Sequence, residues 1–134
     1  MFIIGSRYSI GFNDEMYLFI DYHHKIGNPN KSWWIANLVI EGDLFHEMTK
    51  NGFHENGKGY NVLINSGKIQ TLGTDIFSND LKIAIFRQGI DEWHGYPGNH
   101  KVQKDKPTSQ ILDKLSNNGV SLSIIRKIKK GQSI

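Results

Sequence analysis

Short apolar stretches with strand-like composition occupy most of the first two thirds of the chain. Residues 16–22 and 33–41 are dense in aromatic and β-branched side chains, which favour strands. Residues 81–86, Leu-Lys-Ile-Ala-Ile-Phe, have the alternating pattern of a strand. Residues 60–64 and 68–72 flank the turn sequence Asn65-Ser66-Gly67 and together predict a β-hairpin.

A helical spacing interrupts this strand-rich region once. Leu44, Phe45 and Met48 fall on one side of a helix, which Asp43 can cap at its start and Gly52 can end. Asn51-Gly52 is also a type I′ hairpin signal, but the apolar spacing favours a short helix over residues 43–51. The next segment, residues 54–59, is polar and rich in glycine and predicts a loop.

Two further apolar stripes at helical spacing lie in residues 108–131. The first contains Ile111, Leu112 and Leu115, and the second contains Ile124, Ile125 and Ile128. We therefore expect two short helices in this segment.

The boundary between these two helices carries several independent signals. Thr108 or Ser109 can cap the first helix. Gly119 lies where a left-handed residue ends a helix, and Val120 then contacts Leu115 in a Schellman motif. These signals predict a helical hairpin with a tight turn.

The second helix has a similarly defined start and end. Ser121 is a suitable N-cap, and Val120 and Ile125 have the spacing of a hydrophobic staple. Gly131 can end this helix.

Strands precede helices along the chain, and this segregation is typical of an α+β fold. We expect a single domain over residues 1–134, with a mostly antiparallel sheet, a short helix and a C-terminal two-helix hairpin. Residues 1–88 would form a sheet-rich body, residues 89–107 a loop and residues 108–131 the hairpin. A chain of 134 residues has the length of one ordinary domain and can bury a core without disulfides.

Charge is distributed unevenly along the chain. Residues 1–100 hold eight basic and eleven acidic residues, a net charge of −3. Residues 101–134 hold eight basic and two acidic residues, a net charge of +6. A basic segment on a slightly acidic body predicts nucleic acid or another polyanion as its partner.

The glycine-containing turn, followed by Val120-Ser121-Leu122-Ser123 and a basic helix, resembles the helix-turn-helix of DNA-binding domains over about 20 residues. It departs from that pattern at Leu115, where a small residue usually lets the helices approach, and it lacks the usual third helix. The exposed candidates for nucleic-acid contact are Ser121, Ser123, Arg126, Lys127 and Lys130. A solvated helix face, whose last-turn cations complement the helix dipole, explains the same charges.

The chain contains six histidines and no cysteine. The lack of cysteine excludes disulfides, thiolate metal sites and cysteine nucleophiles. The metalloprotease motif H-E-x-x-H, the P-loop and the G-x-G-x-x-G and G-x-S-x-G motifs are all missing. We therefore expect no metal and no cofactor.

Residues 91–97, Asp-Glu-Trp-His-Gly-Tyr-Pro, form the densest cluster of reactive and aromatic side chains. A histidine flanked by carboxylates can perform general acid–base chemistry. One hypothesis is a metal-independent ribonuclease that uses His94, Glu92 and a phosphate-binding lysine or arginine. The competing interpretation is that Trp93 and Tyr96 anchor this segment to the core.

A third hypothesis is a non-enzymatic protein-interaction module of the inhibitor or immunity type. Tryptophan and tyrosine dominate interface hot spots, so the anchors would be Trp33, Trp34, Trp93 and Tyr96. Core packing explains most of these rings equally well.

The favoured prediction is a protein whose basic C-terminal helices contact nucleic acid or another polyanion, with enzymatic activity left open. The interaction module and the ribonuclease remain alternatives. The first residues lack a basic start before a long apolar run, and no apolar run reaches the roughly 18 residues of a membrane helix. We expect a soluble, cytoplasmic protein without membrane contact.

Overall fold

Ten strands and three helices follow one another along the chain, and the computed structural model describes all 134 residues. The strands are β1 (Arg7–Ser9), β2 (Met16–Leu18), β3 (Trp33–Trp34), β4 (His54–Glu55), β5 (Lys58–Asn61), β6 (Ile64–Asn65), β7 (Lys68–Ile69), β8 (Gly73–Thr74), β9 (Ile83–Gln88) and β10 (Trp93–Gly98). The helices are α1 (Leu38–Asn51), α2 (Ser109–Asn117) and α3 (Leu122–Lys130), and 3₁₀ turns cover Asp21–His24 and Gln103–Asp105. No helix combines the length and apolar character that crossing a membrane requires.

Six strands form the main sheet, in the order β1-β2-β10-β9-β5-β4. All neighbouring strands are antiparallel except β10 and β2, which pair in parallel through Trp93 and Tyr17. β3 pairs with β8, and β6 pairs with β7, in two small sheets. The predicted α+β class, with a mostly antiparallel sheet and C-terminal helices, is confirmed.

Helix α1 covers the first face of the main sheet. Its Phe45 ring packs against Tyr17, Phe86 and Trp93, with ring centroids 4.5, 5.6 and 6.0 Å away. The strand register places these three sheet residues on the same face. Burial of these aromatic rings is a large hydrophobic contribution to the fold.

The second face of the sheet is apolar at one end and polar at the other. Ile83 and Ile85 of β9 are fully buried, whereas Arg87, two positions further, is exposed. On the neighbouring strand β10, the half-buried His94 and Tyr96 share this face, because they pair with Arg87 and Ile85. Alternate residues of a strand share a face. This face therefore has an apolar half around Ile83 and Ile85, which we term the dry half, and a polar half around Arg87 and His94, which we term the wet half.

The C-terminal hairpin is tied to the dry end of the sheet. Lys114 Nζ of α2 donates to the Gly52 carbonyl at 2.9 Å, and His100 Nε2, just after β10, donates to the Gln132 carbonyl at 2.6 Å. The apolar stripes of α2 and α3 belong to the same buried cluster as Ile83 and Ile85. The hairpin therefore completes the core.

The predicted caps of both helices are confirmed. The Thr108 hydroxyl accepts from Ile111 N at 3.3 Å, and the Ser121 hydroxyl accepts from Ile124 N at 3.3 Å. Gly131 ends α3 in the left-handed conformation, with φ +67°.

The Schellman motif after α2 is also confirmed. Val120 N donates to the Leu115 carbonyl and Gly119 N donates to the Ser116 carbonyl, both at 3.1 Å. Gly119 has φ +102°, and Val120 and Leu115 are both buried. Local signals alone define this turn.

The prediction of a loop over residues 89–107 is wrong, because β10 lies near the centre of the main sheet. A Cβ at Gly95 would lie 2.6 Å from Tyr17 Oη and 2.7 Å from Phe86 Cδ1, so glycine permits the close packing. Pro97 is tolerated because β2 pairs with β10 only at Trp93. The glycine and proline that suggested a loop are adaptations of a strand to its neighbours.

The predicted strands before α1 are too long. β2 ends at Leu18, and the strand predicted over 33–41 contains only Trp33–Trp34. Helix α1 begins at Leu38 instead of near Asp43, since Asn37 Oδ1 accepts from Ile40 N at 2.9 Å and caps the helix there. The apolar residues after Asn37 fit either period, and the cap selects the helix.

One predicted loop is a hairpin. Within residues 54–59, β4 and β5 are joined by Asn56-Gly57, whose φ values of +52° and +74° fit a type I′ turn. The hairpin predicted around Asn65-Ser66-Gly67 is confirmed as β6 and β7.

The substitution Gly119→Val should lower the free energy of unfolding by about 1–3 kcal/mol, because a β-branched residue is strained at positive φ. No atom lies within 4 Å of the position of the new Cβ, so this loss would come from the backbone and not from a clash. Urea denaturation measures the effect. Gly119→Asn, which tolerates positive φ better, should lose less, and an unchanged midpoint for the valine variant would reject the Schellman assignment.

Candidate functional site

An open pocket of about 320 Å³ occupies the wet half of the second sheet face. Strands β9 and β10 form its floor, and the two 3₁₀ turns and residues 30–32 contribute to its walls. Its titratable lining residues are Tyr22, His23, Lys31, Asp75, Arg87, His94, Tyr96, Lys104 and Asp105. A concave site with convergent polar groups and histidines is the best-supported candidate for a ligand site.

A row of three cationic or titratable side chains crosses the floor of this face. Lys58 of β5 lies directly opposite Arg87 of β9, and Arg87 lies directly opposite His94 of β10. Directly paired residues share one face, with Cβ atoms roughly 5 Å apart. Antiparallel pairing alone therefore brings these three side chains together.

The half-buried His94 is free to interact with a ligand, because its ring makes no hydrogen bond with the protein. Burial and the charge of Arg87 lower the pKa of His94, and the charge of Glu92 opposes this shift. His94 is therefore mainly neutral at pH 7 while the pocket holds no anion.

His23 faces the same pocket from the 3₁₀ turn Asp21–His24. Its ring stacks on Tyr96 with a centroid distance of 5.1 Å and an interplanar angle of 20°. Its Nδ1 donates to the Ser32 carbonyl at 2.8 Å, so Nε2 retains the lone pair. Burial lowers the pKa of His23 to about 4, the Ser32 carbonyl opposes this shift, and the charges of Lys31 and His94 add to it.

Two tyrosines of this part of the sheet, Tyr96 and Tyr60, stay neutral. Burial raises the pKa of Tyr96, although the hydrogen bond from Arg87 Nε to its hydroxyl, at 3.3 Å, opposes this shift. Burial likewise raises the pKa of Tyr60 to about 12. Tyr96 is thus a hydroxyl donor at every physiological pH.

The cations of the pocket form no ion pairs, whereas its carboxylates accept hydrogen bonds from nearby backbone and side-chain groups. Lys31, Arg87 and Lys104 form no ion pair, since the two ion pairs of the molecule are Arg7–Glu92 and His24–Glu41. Asp75 accepts hydrogen bonds from its own loop at Phe77 and Asn79, and Asp105 accepts from Asn99 N at 3.0 Å. An anionic ligand would therefore meet free cations.

The structure separates the pair of residues that the sequence suggested for catalysis. Glu92 is bound to Arg7 at 3.0 Å and does not line the pocket. His94 does line the pocket. The second side chain in the pocket that is able to transfer protons is His23. Glu92 acts on His94 only through its charge.

Three of the four aromatic residues proposed as interface anchors are buried. Trp33, Trp34 and Trp93 expose only 9, 6 and 6 % of their surface. They pack inside this chain, so their assignment as anchors for a protein partner is wrong. Tyr96 is half-buried and its side chain faces the pocket.

The polar residues predicted on α3 are all exposed. Ser123, Arg126, Lys127 and Lys130 follow the i, i+3, i+4, i+7 spacing, so they form one continuous stripe opposite the buried isoleucines. Ser121 already caps the helix through its hydroxyl. Four of the five predicted contact residues therefore share one surface, which we term the α3 stripe (Ser123, Arg126, Lys127 and Lys130).

No similarity to a known protein indicates a function for this site. No protein family, no curated protein and no solved structure matches this chain. No group of three or more histidine, aspartate or glutamate side chains has an arrangement that could hold a metal ion.

Sequence reasoning missed His23, Lys31, Arg87 and Lys104 as members of one site. The available signal was Arg87, which places a charge at an otherwise apolar face of the β9 pattern. It pairs with His94 only if residues 93–98 form a strand, whereas their glycines and proline predict a loop. His23 and Lys31 come from a distant segment and carry no local signal.

The free energy of unfolding should decrease as the pH falls below neutral, and His23 should be one cause of this decrease. The unfolded chain protonates this histidine near its ordinary pKa of 6.5, whereas the folded chain does so near 4. Between these values the unfolded state binds more protons, so stability present at neutral pH is lost as the pH falls through this range.

The substitution His23→Asn should remove this dependence, because its amide can still donate to Ser32 but cannot titrate. Between about pH 7 and about pH 4.5, the native protein should lose about 1–2 kcal/mol more than the variant, after allowance for partial exposure. Urea denaturation at both pH values measures the difference. Parallel losses in both proteins would contradict the assignment.

Proposed function

We propose that this protein is a metal-independent ribonuclease whose active site is the His23–His94 pocket. The observation that carries this proposal is the convergence of two histidines, with Arg87 and Tyr96, in one open pocket. Its three cations outnumber its two carboxylates, Asp75 and Asp105, and form no ion pair with them. Cleavage of RNA by its own 2′-hydroxyl requires only proton transfer and stabilisation of a phosphate.

Cations along the pocket floor would hold the phosphodiester. Arg87 can offer its guanidinium N–H groups to two phosphate oxygens, a geometry that favours phosphate recognition. Lys31 and Lys104 also line the pocket and add positive charge. Charge that builds up on phosphorus oxygens in the transition state would be stabilised by the same groups.

The reaction needs one proton acceptor and one proton donor. The 2′-oxygen attacks phosphorus, a new O2′–P bond forms, and the P–O5′ bond breaks. The 2′-hydroxyl proton passes to one imidazole, and the other, protonated imidazole gives its proton to O5′. The products are a 2′,3′-cyclic phosphate and a 5′-hydroxyl end.

The surroundings of the two histidines favour one assignment. His23 suits the proton acceptor, because its Nδ1–H is engaged by Ser32 and its Nε2 lone pair is free. His94 suits the proton donor, because its ring has no protein partner and a bound phosphate would raise its pKa. Tyr96, between them, can donate to a phosphate oxygen.

The α3 stripe would extend the binding surface beyond the pocket. Lys58 Nζ, beside Arg87, donates to the Lys104 carbonyl at 2.7 Å, and Lys106 Nζ donates to the Lys129 carbonyl at 3.1 Å. Residues 104–106 thus join the pocket wall to the end of α3. The polyanion contact predicted for the C-terminal helices fits this proposal as a backbone-binding surface, which supplies affinity without sequence preference.

The purified protein should cleave single-stranded RNA in the presence of EDTA and leave 2′,3′-cyclic phosphate ends. His23→Ala and His94→Ala should each lower kcat by at least about 100-fold, because each removes one proton-transfer group. RNA with a single 2′-deoxy position should resist cleavage at that position. Gel assays of labelled RNA measure all three effects.

His46→Ala is the matched control, because His46 is an exposed histidine on α1 outside the pocket, and it should retain native activity. Absence of cleavage by the native protein across a panel of RNAs would reject the ribonuclease proposal. Full activity of His94→Ala would reject the assigned site.

Neutralising the α3 stripe should weaken RNA binding without unfolding the protein. In a His94→Ala background, the triple change of Arg126, Lys127 and Lys130 to Gln should reduce affinity similarly for all sequences. The slope of log affinity against log salt should flatten by about 0.7 unit for each lost phosphate contact. Fluorescence anisotropy over a salt series measures both quantities.

A control with the same change in net charge separates this surface from general electrostatics. Lys25, Lys50 and Lys68 are exposed and lie outside α3. Their replacement by Gln should change the slope much less. Equal effects of the two triple variants would remove the α3 stripe from the binding surface.

A further inference from the structure

A buried polar network lies directly behind the His23–His94 pocket. Glu41, in the first turn of α1, is fully buried, and its Oε2 accepts from the Tyr17 hydroxyl at 2.5 Å. Its Oε1 lies 2.7 Å from His24 Nε2, and His24 Nδ1 donates to the Ile20 carbonyl at 2.7 Å. Both ring nitrogens of His24 are therefore engaged.

The network is buried, as His23 itself is, although the pocket that His23 lines is open to solvent. The side chains of His24 and Glu41 expose only 6 % and 0 % of their surface. Well-packed apolar side chains of similar volume often stabilise a core as well as a buried ion pair does. A buried pair at this position is therefore better explained by the geometry that it imposes than by stability.

The His24–Glu41 pair fixes the orientation of the 3₁₀ turn Asp21–His24. In a 3₁₀ turn, consecutive side chains project about 120° apart. When His24 points inward to Glu41, its neighbour His23 points toward the pocket, where it meets the Ser32 carbonyl and the Tyr96 ring. The turn has no side-chain cap at its N-terminus, so the His24–Glu41 bond links it to α1.

We propose that Glu41 and His24, supported by Tyr17, are positioning residues that fix the orientation and the tautomer of His23. The role of His23 in proton transfer rests on the proposed ribonuclease function, whereas the effect on its tautomer does not.

The ionisation of the pair is consistent with this role. Burial by itself would lower the pKa of His24, but the hydrogen bond and charge of Glu41 outweigh this effect and raise it. Asp21 contributes in the same direction. Burial raises the pKa of Glu41, and the hydrogen bonds from His24 and Tyr17 and the charge of His24 oppose this shift.

The deciding variant removes all three side-chain polar groups of the network together, so that no buried charge is left without its partner. The triple change Tyr17→Phe, His24→Leu and Glu41→Met replaces all three groups by apolar ones, so folding should be retained. Its kcat should nevertheless fall at least tenfold, with KM within about threefold of native, because the phosphate-binding cations are untouched. A network with a purely structural role would leave kcat unchanged in a stable variant.

Nitrogen-15 NMR of the histidine rings gives a second readout that needs no activity. In the native protein, His23 should carry its proton on Nδ1, as the bond to Ser32 requires. In the triple variant, the Nδ1 and Nε2 signals should shift toward the mixture of tautomers of a free ring. This readout remains decisive even if the native protein cleaves no RNA, an outcome that would reject only the catalytic part.

Two further variants serve as a rescue of the network and as a control for lost stability. His24→Gln keeps an N–H donor for Glu41 and should recover much of the native kcat and the native His23 spectrum. Thr49→Val removes buried hydrogen bonds elsewhere on α1 and should lower stability while leaving kcat and the spectrum unchanged. A folded triple variant with native kcat and a native His23 spectrum would overturn the proposal.

Discussion

The pairing of β9 with β10 is the constraint on which both the core and the candidate site depend. Its register places Phe86 and Trp93 on the face under α1, and it places Arg87 opposite His94 on the other face. A slip by one residue would exchange the two faces and move the charged side chains into the aromatic core. The close contact at Gly95, where a side chain would clash with Tyr17 and Phe86, resists such a slip.

Charged side chains are buried and paired on one side of the 3₁₀ turn that carries His23, and exposed without ion pairs on the other side. Behind the turn, His24 and Glu41 are buried and paired, so their interaction is directional and little screened by salt. In front of it, Lys31, Arg87 and Lys104 are accessible and have no acidic partner. The first arrangement suits the fixing of a position, and the second suits the binding of an anion.

The proposed function divides binding and chemistry between two parts of the chain. The sheet supplies a rigid floor on which Arg87 and His94 are held by strand pairing, which is more precise than a loop. The α3 stripe presents flexible cations on a solvated helix, which suits contact with a phosphate backbone of any sequence. Residues 104–106 contact both parts.

Features whose causes are local can be predicted from the sequence alone. The caps at Thr108 and Ser121 and the turn at Gly119 each arise within a few residues, and the helical hairpin was predicted from them. The order of strands before helices indicates the α+β class, and the neighbours of His94 make it a candidate for acid–base chemistry.

Features that depend on distant partners follow only from the tertiary structure. Glycine and proline in β10 suggested a loop, and only the packing against Tyr17 and Phe86 explains them as strand residues. Glu92 is close to His94 in sequence, yet it precedes β10 and pairs with Arg7, whereas His23 reaches the pocket from the 3₁₀ turn Asp21–His24. These contacts join segments that are far apart in the chain, so no local pattern predicts them.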